Sequence, residues 1–149
     1  MKFSIKNLKG AKVYFWGKDQ PWGVFSDVMM NKNGRIEAYI VKTLSIVPIS
    51  KVIQNRDIDK IEDGKIVLKK GMRLVNYELF RKAYTDNTIK SENVKKVVLG
   101  GMKPKKLKDM RFDLETGEIC DVVISQNIIA GKYRLSVNKI SATDNTIYI

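Results

Sequence analysis

The chain contains no histidine and a single cysteine, Cys120. Those two facts remove most familiar reactive centres. Without histidine there is no Ser-His-Asp or Cys-His nucleophile and no imidazole base working near neutral pH. A zinc site would need several Cys, His or acidic ligands brought together, and the sequence offers no such grouping. Cys120 lies in the strand-like run Glu118 to Ser125, where a lone thiol is expected to act as a small buried hydrophobe in a reducing compartment. Asp27 and Asp121 read as equivalent positions in two similar segments, Gly23–Met30 and Gly117–Ile124. A carboxylate pair would be the catalytic reading, and aspartates bonding nearby backbone at strand bends the plainer one, which is preferred. Gly100-Gly101 has no Gly-Lys-Ser/Thr sequel, so it does not form a phosphate loop. The chain is therefore expected to be no enzyme and to carry no cofactor or metal.

What the sequence does supply is positive charge. The formal net charge is +12. Residues 1–64 carry +4, residues 65–111 carry +10 and residues 112–149 carry −2. The densest stretch is Lys103, Lys105, Lys106 and Lys108 with Arg111 just beyond, and Lys95 and Lys96 add to it as candidate phosphate contacts. Such a field attracts RNA, a ribosome or, as the weaker candidate, an anionic membrane surface. Lysine far outnumbers arginine, which gives a diffuse attraction to phosphate in place of forked, bidentate recognition. A solubilising surface would show the same composition. Two further residues are candidates for docking a protein partner: Trp22, which follows Pro21 in a turn, and Tyr39, on a strand.

The elements that position these residues read as short strands. Lys12–Trp16 and Trp22–Met30 are β-branched and aromatic, and Asn31-Lys32-Asn33-Gly34 is a tight hairpin turn. Arg35–Val41 alternates, with Ile36, Ala38 and Ile40 on one face and Glu37, Tyr39 and Val41 on the other. Leu44–Ile53 is expected to be a strand segment, with Pro48 marking an edge or a strand start. Ile58–Ile61 and Lys65–Leu68 close a hairpin at Asp63-Gly64. Leu74, Tyr77, Phe80, Arg81 and Tyr84 fit a helical stripe, although the segment also alternates as a strand. After Gly100-Gly101, Leu107–Phe112 and Glu118–Ser125 flank Glu115-Thr116-Gly117, and Tyr133–Ile140 and Thr146–Ile149 are the last strands. The absence of an apolar leader or spanning segment predicts a cytoplasmic protein.

The two ends of the chain also resemble each other. Gly23–Met30 matches Gly117–Ile124 at an offset of 94, Val47–Val52 matches Leu135–Ile140 at 88, and Ile66–Leu68 matches Ile147–Ile149 at 81. The falling offset predicts a repeat with a shortened second copy. Thr-Asp-Asn-Thr-Ile occurs at 85–89 and again at 143–147, outside that series.

The order Leu8, Gly10, strand, Gly23, Asp27-Val28, Asn33-Gly34, strand, Val47-Pro48-Ile49-Ser50-Lys51-Val52, then Asp63-Gly64-Lys65-Ile66-Val67-Leu68 resembles the PRC-barrel family. Residues 102–149 resemble it less fully, lacking the proline and placing Ala130-Gly131 in a different setting. The resemblance implies all-β architecture: small six-stranded barrels from two sequence repeats, with a possible short helix in the connector. It divides the chain into a first unit at 1–71, a basic connector at 72–101 and a second, shortened unit at 102–149, short enough to lean on the first unit or on a homodimer mate. It also implies docking, to a protein partner or to RNA, since family members are linked to sporulation and to ribosome maturation. It implies no active site.

Overall fold

The computed structural model describes residues 1–84, 88–127 and 131–149. The chain is mostly strand, arranged as two sheets with few helices. In the first sheet the strands β2 (Lys12–Tyr14), β3 (Gly23–Met30), β4 (Ile36–Thr43) and β5 (Ser50–Ile53) run antiparallel in sequence order. The hairpin β6 (Ile58–Glu62) and β7 (Lys65–Leu68) returns so that β7 lies parallel to β2. The Asp63-Gly64 turn has positive φ at both residues, as a tight hairpin requires. The short β8 (Val75–Asn76) adds beside β5 and leads into α1 (Tyr77–Tyr84), so the helical alternative for this segment is the one that forms.

The second sheet repeats that order. β10 (Lys96–Val98), β11 (Lys105–Asp113), β12 (Ile119–Asn127) and β13 (Gly131–Ser136) run in sequence, and β14 (Ser141–Ala142) with β15 (Thr146–Tyr148) returns so that β15 lies parallel to β10. Each leading hairpin carries two register shifts at corresponding places, Phe25/Asp27 and Met29/Met30 in one and Leu107/Asp109 and Arg111/Phe112 in the other. A bulge bends a strand and re-aims its side chains, so it is a sensitive marker of equivalence.

This register corrects the equivalence read from the sequence. Gly23–Met30 is the first strand of its hairpin, whereas the run after Gly117 is the second strand of the other. Asp27 therefore corresponds to Asp109, not to Asp121. The two share a bonding pattern: Asp27 accepts from Val28 N, Glu92 N and Ser91 Oγ, and Asp109 accepts from Met110 N, Lys6 N and Ser4 Oγ.

Those partners come from exchanged segments. β1 (Lys2–Ser4), followed by a single helical turn at Ile5–Leu8, pairs with β11 of the second sheet. β9 (Ile89–Lys90), followed by a 3-10 turn at Ser91–Asn93, pairs with β3 of the first. The pairing thus cuts across the boundaries 1–71, 72–101 and 102–149. Residues 2–4 join the second sheet, while within 72–101 β8 and β9 join the first sheet and β10 the second.

The halves meet through their hairpin turns. Ile36 N donates to Gly117 O at 2.7 Å and Ile119 N donates to Gly34 O at 3.0 Å, with Arg35 bridged to Glu118. Gly34 and Gly117 have φ of 77° and 75°. A Cβ on Gly34 would strike Ile140, and one on Gly117 would lie 2.5 Å from Asn55 Nδ2, so both turns need glycine for φ and for space. One apolar core runs through both halves, with Tyr39 touching Phe25 and Phe112 at ring distances of 6.2 and 5.9 Å. The second half leans on the first through this core.

Two strand expectations shift. Residues 44–49 form a loop, leaving β5 to begin at Ser50. β13 ends at Ser136, short of Ile140. Of the first Thr-Asp-Asn-Thr-Ile, residues 85–87 lie outside the described residues, as does Ala130.

Candidate polyanion-binding face

The lysine face forms where β10, β11 and β12 lie side by side. Lys96 pairs with Lys106, Lys106 with Ser125, and Ser125 with Lys132. Residues directly opposite in adjacent strands project to the same side of a sheet. Lys96, Lys106 and Lys132 therefore form one row across four strands, β13-β12-β11-β10, spaced by about 4.8 Å per strand. Lys108 sits at the bulge between Leu107 and Asp109, and the bend there pushes it out of the ladder.

The electrostatics record this crowding. The Lys108 ammonium titrates below its ordinary value, chiefly because Lys106 repels it, with a smaller contribution from burial and further repulsion from Lys132 and Lys6. An anion placed among these ammonium groups would relieve their mutual repulsion. Lys6 and Lys9 line an open cleft of about 370 Å³ together with Lys95 and Lys108. Two carboxylates also line it. Asp109 is occupied by Ser4 and two backbone amides, and Glu92 lies 3.9 Å from Lys90. Lys95, Lys96, Lys105 and Lys106 surround a second shallow recess beside Pro104.

The fold therefore brings Lys95, Lys96, Lys105, Lys106 and Lys108 together. Lys103 lies exposed in the turn before β11. Arg111 belongs elsewhere: its guanidinium is 3.3 Å from the buried Asp121 carboxylate, so it is an ion-paired structural residue and not a free phosphate contact. Lys6, Lys9 and Lys132 complete the face. Their place depends on the β1–β11 and β12–β13 pairings, which bring together residues far apart in sequence or separated by a loop. The local sequence around each of them carries no sign of it.

The two aromatic candidates separate. Tyr39 is fully buried, 0% exposed, so its expected place on a docking surface is corrected. Both faces of β4 are covered: Tyr39 and Val41 face the shared core, while Ala38 and Ile40 pack with Met29, Val52 and Phe80 under α1. The Tyr39 hydroxyl makes no hydrogen bond, and burial raises its pKa. Trp22 is half-buried, stacked on Phe15 at 4.8 Å, with its Nε1 enclosed and without a hydrogen-bond partner. The exposed aromatic of that turn is Trp16, at 53%.

Cys120 is half-buried; its thiol donates to Glu118 O at 3.4 Å, and burial raises its pKa. A raised pKa lowers the thiolate fraction and with it the reactivity. Among the described residues, no group of three Cys, Asp or Glu side chains is placed to hold a metal ion, and no helix is long and apolar enough to cross a membrane. No family model matches the chain, and no curated protein sequence matches it.

Proposed function

We propose that the chain is a non-enzymatic docking protein made of two PRC-type units related by an internal repeat, and that its lysine face holds RNA. The repeat is supported by the shared order of six strands, β6-β7-β2-β3-β4-β5 and β14-β15-β10-β11-β12-β13. The observation that carries the RNA assignment is the row of Lys96, Lys106 and Lys132 that strand register sets across one face, with Lys6, Lys9, Lys95 and Lys108 around the cleft beside it. Phosphates on a polymer neutralise several such groups at once and release condensed counterions. A protein partner held through Trp22 and Tyr39 is the weaker reading, because Tyr39 lies in the core.

The test is binding of total RNA at about 50 and 200 mM salt, the range over which a multi-phosphate site loses orders of magnitude in affinity. Tight binding at low salt should collapse at high salt. The Lys106→Glu/Lys108→Glu variant should flatten the log–log salt slope by roughly 0.7 for each single-strand phosphate that it no longer neutralises, while keeping its unfolding midpoint. Arg111→Gln should leave the slope unchanged. Absence of binding at either salt overturns the RNA assignment and leaves protein docking.

A further inference from the structure

A second surface lies at one end of the first sheet. The β2–β3 loop carries Trp16 and the β4–β5 loop carries Leu44, Ile46, Val47 and Ile49, all exposed. Ile46 is wholly exposed, at 103%. The loops are tied together, since Leu44 N donates to Trp22 O at 2.9 Å and Gly23 pairs with Thr43. The apolar loop is held in shape from within. Ile49 N donates to Thr43 Oγ1 at 2.9 Å, Ser45 Oγ lies 3.0 Å from that same oxygen, and Ser45 Oγ donates to Val47 O at 2.7 Å. A rigid loop that presents four aliphatic side chains to water forgoes their burial, and contiguous exposed apolar groups mark an interaction surface.

The rim is basic. Residues 12–24 and 42–51, which form these loops and their strand ends, contain Lys12, Lys18, Lys42 and Lys51 against the single acid Asp19. Lys69 and Lys70 follow β7 at the same end, and Lys70 Nζ lies 5.3 Å from the Trp16 ring centroid. We propose that this end docks on an anionic lipid bilayer, with Ile46 and Val47 entering the acyl boundary, Trp16 at headgroup depth and the lysines against lipid phosphates. Aliphatic tips, an interfacial indole and a cationic rim are the combination that such a surface rewards. Residues 44–49 themselves contain no aromatic or arginine side chain of the kind that anchors protein interfaces. The proposal is independent of the RNA assignment.

Both tryptophans of the chain, Trp16 and Trp22, lie at this end, so their emission reports on it directly. The full chain is mixed with vesicles of phosphatidylcholine alone or with about one third phosphatidylglycerol. Co-sedimentation with the anionic vesicles and a blue shift in tryptophan emission are expected. Ile46→Ser/Val47→Ser should weaken binding about tenfold or more and abolish the shift, with RNA binding and unfolding midpoint unchanged. Lys106→Glu/Lys108→Glu should keep the shift at saturating lipid. Three results overturn the proposal: no sedimentation of the wild type, sedimentation without a blue shift, or equal binding by the loop variant. The last two mean that the lysine face alone holds the vesicle.

Discussion

The outer faces of the two halves solve one problem in opposite ways. In the first half, Met29, Ala38 and Val52 are apolar and lie under α1 with Phe80. By register the corresponding positions in the second half are Arg111, Asp121 and Arg134. There Arg111 Nη1 lies 3.3 Å from Asp121 Oδ2, and Ser136 Oγ donates to Asp121 at 3.2 Å. The same backbone thus accepts an apolar layer where a helix covers it and an ionic layer where its own side chains must. Cover decides the chemistry of the face, not strand geometry.

The largest effect is expected where the helix anchors. Phe80 is buried against the strands, and an eight-residue helix does not persist without packing. Phe80→Ala should cost about 3–4 kcal/mol in urea unfolding. A cost under about 1 kcal/mol would mean that α1 contributes little to the first half and that the comparison fails.

On the other face, Asp121→Ala leaves the half-buried Arg111 without its partner and should cost about 2 kcal/mol, below the range for fully buried pairs. Arg111→Met/Asp121→Ala imitates the first half and should recover most of that loss, because no buried charge is orphaned: Lys2, 4.0 Å from the Asp121 carboxylate, is half exposed and stays solvated. If the double variant is as unstable as the single one, the ionic layer is essential without its cover.

These contrasts explain what the sequence disclosed. Asn33-Gly34, Asp63-Gly64 and Glu115-Thr116-Gly117 announced their turns because positive φ restricts residue choice. The lysines of 95–108 announced themselves because charge is countable. The strand equivalence misled because a glycine stands at the start of β3 and just before β12, each followed by a strand-like run, although one strand opens its hairpin and the other closes it. Strand pairing and the bulge positions distinguish them. The exchange of β1 and β9 was illegible because Ser4 pairs with Arg111, and so distant a contact imposes no local pattern. Tyr39 misled because alternation names two faces without saying that both are covered.

Tyr39 sharpens the comparison further. Its counterpart in the second half is Val122, also fully buried, which has no hydroxyl to satisfy. Tyr39→Phe should raise stability by about 1 kcal/mol, because it removes a buried polar group with no hydrogen bond while keeping the ring. A loss instead would show that a bound water satisfies the hydroxyl.

The smallest effect concerns the hairpin turns. Asn31 and Asp113 occupy matching positions. Asn31 Oδ1 accepts from Asn33 N and Arg35 N, and Asp113 Oδ1 accepts from Glu115 N and Thr116 N. One turn uses a neutral side chain and the other a charged one, and the neighbour explains the choice. Asn31 Nδ2 donates to Glu37 Oε1 at 2.8 Å, where an aspartate would set two carboxylates together. Cys120 stands at the position corresponding to Glu37 and imposes no such restriction. The Thr116 amide, followed by that of Glu115, holds the Asp113 carboxyl below the ordinary carboxylate pKa of 3.8. A depressed carboxylate contributes stability that is present above the unfolded-state pKa and is lost as pH falls through the folded value. Wild type should therefore exceed Asp113→Asn in urea midpoint at neutral pH, with the gap closing in acid below that range. Asn31→Asp should lower the midpoint at neutral pH, because its new charge faces Glu37, and should recover as acid protonates the pair. A constant gap for Asp113→Asn at all pH values would mean that its charge is not what the turn uses.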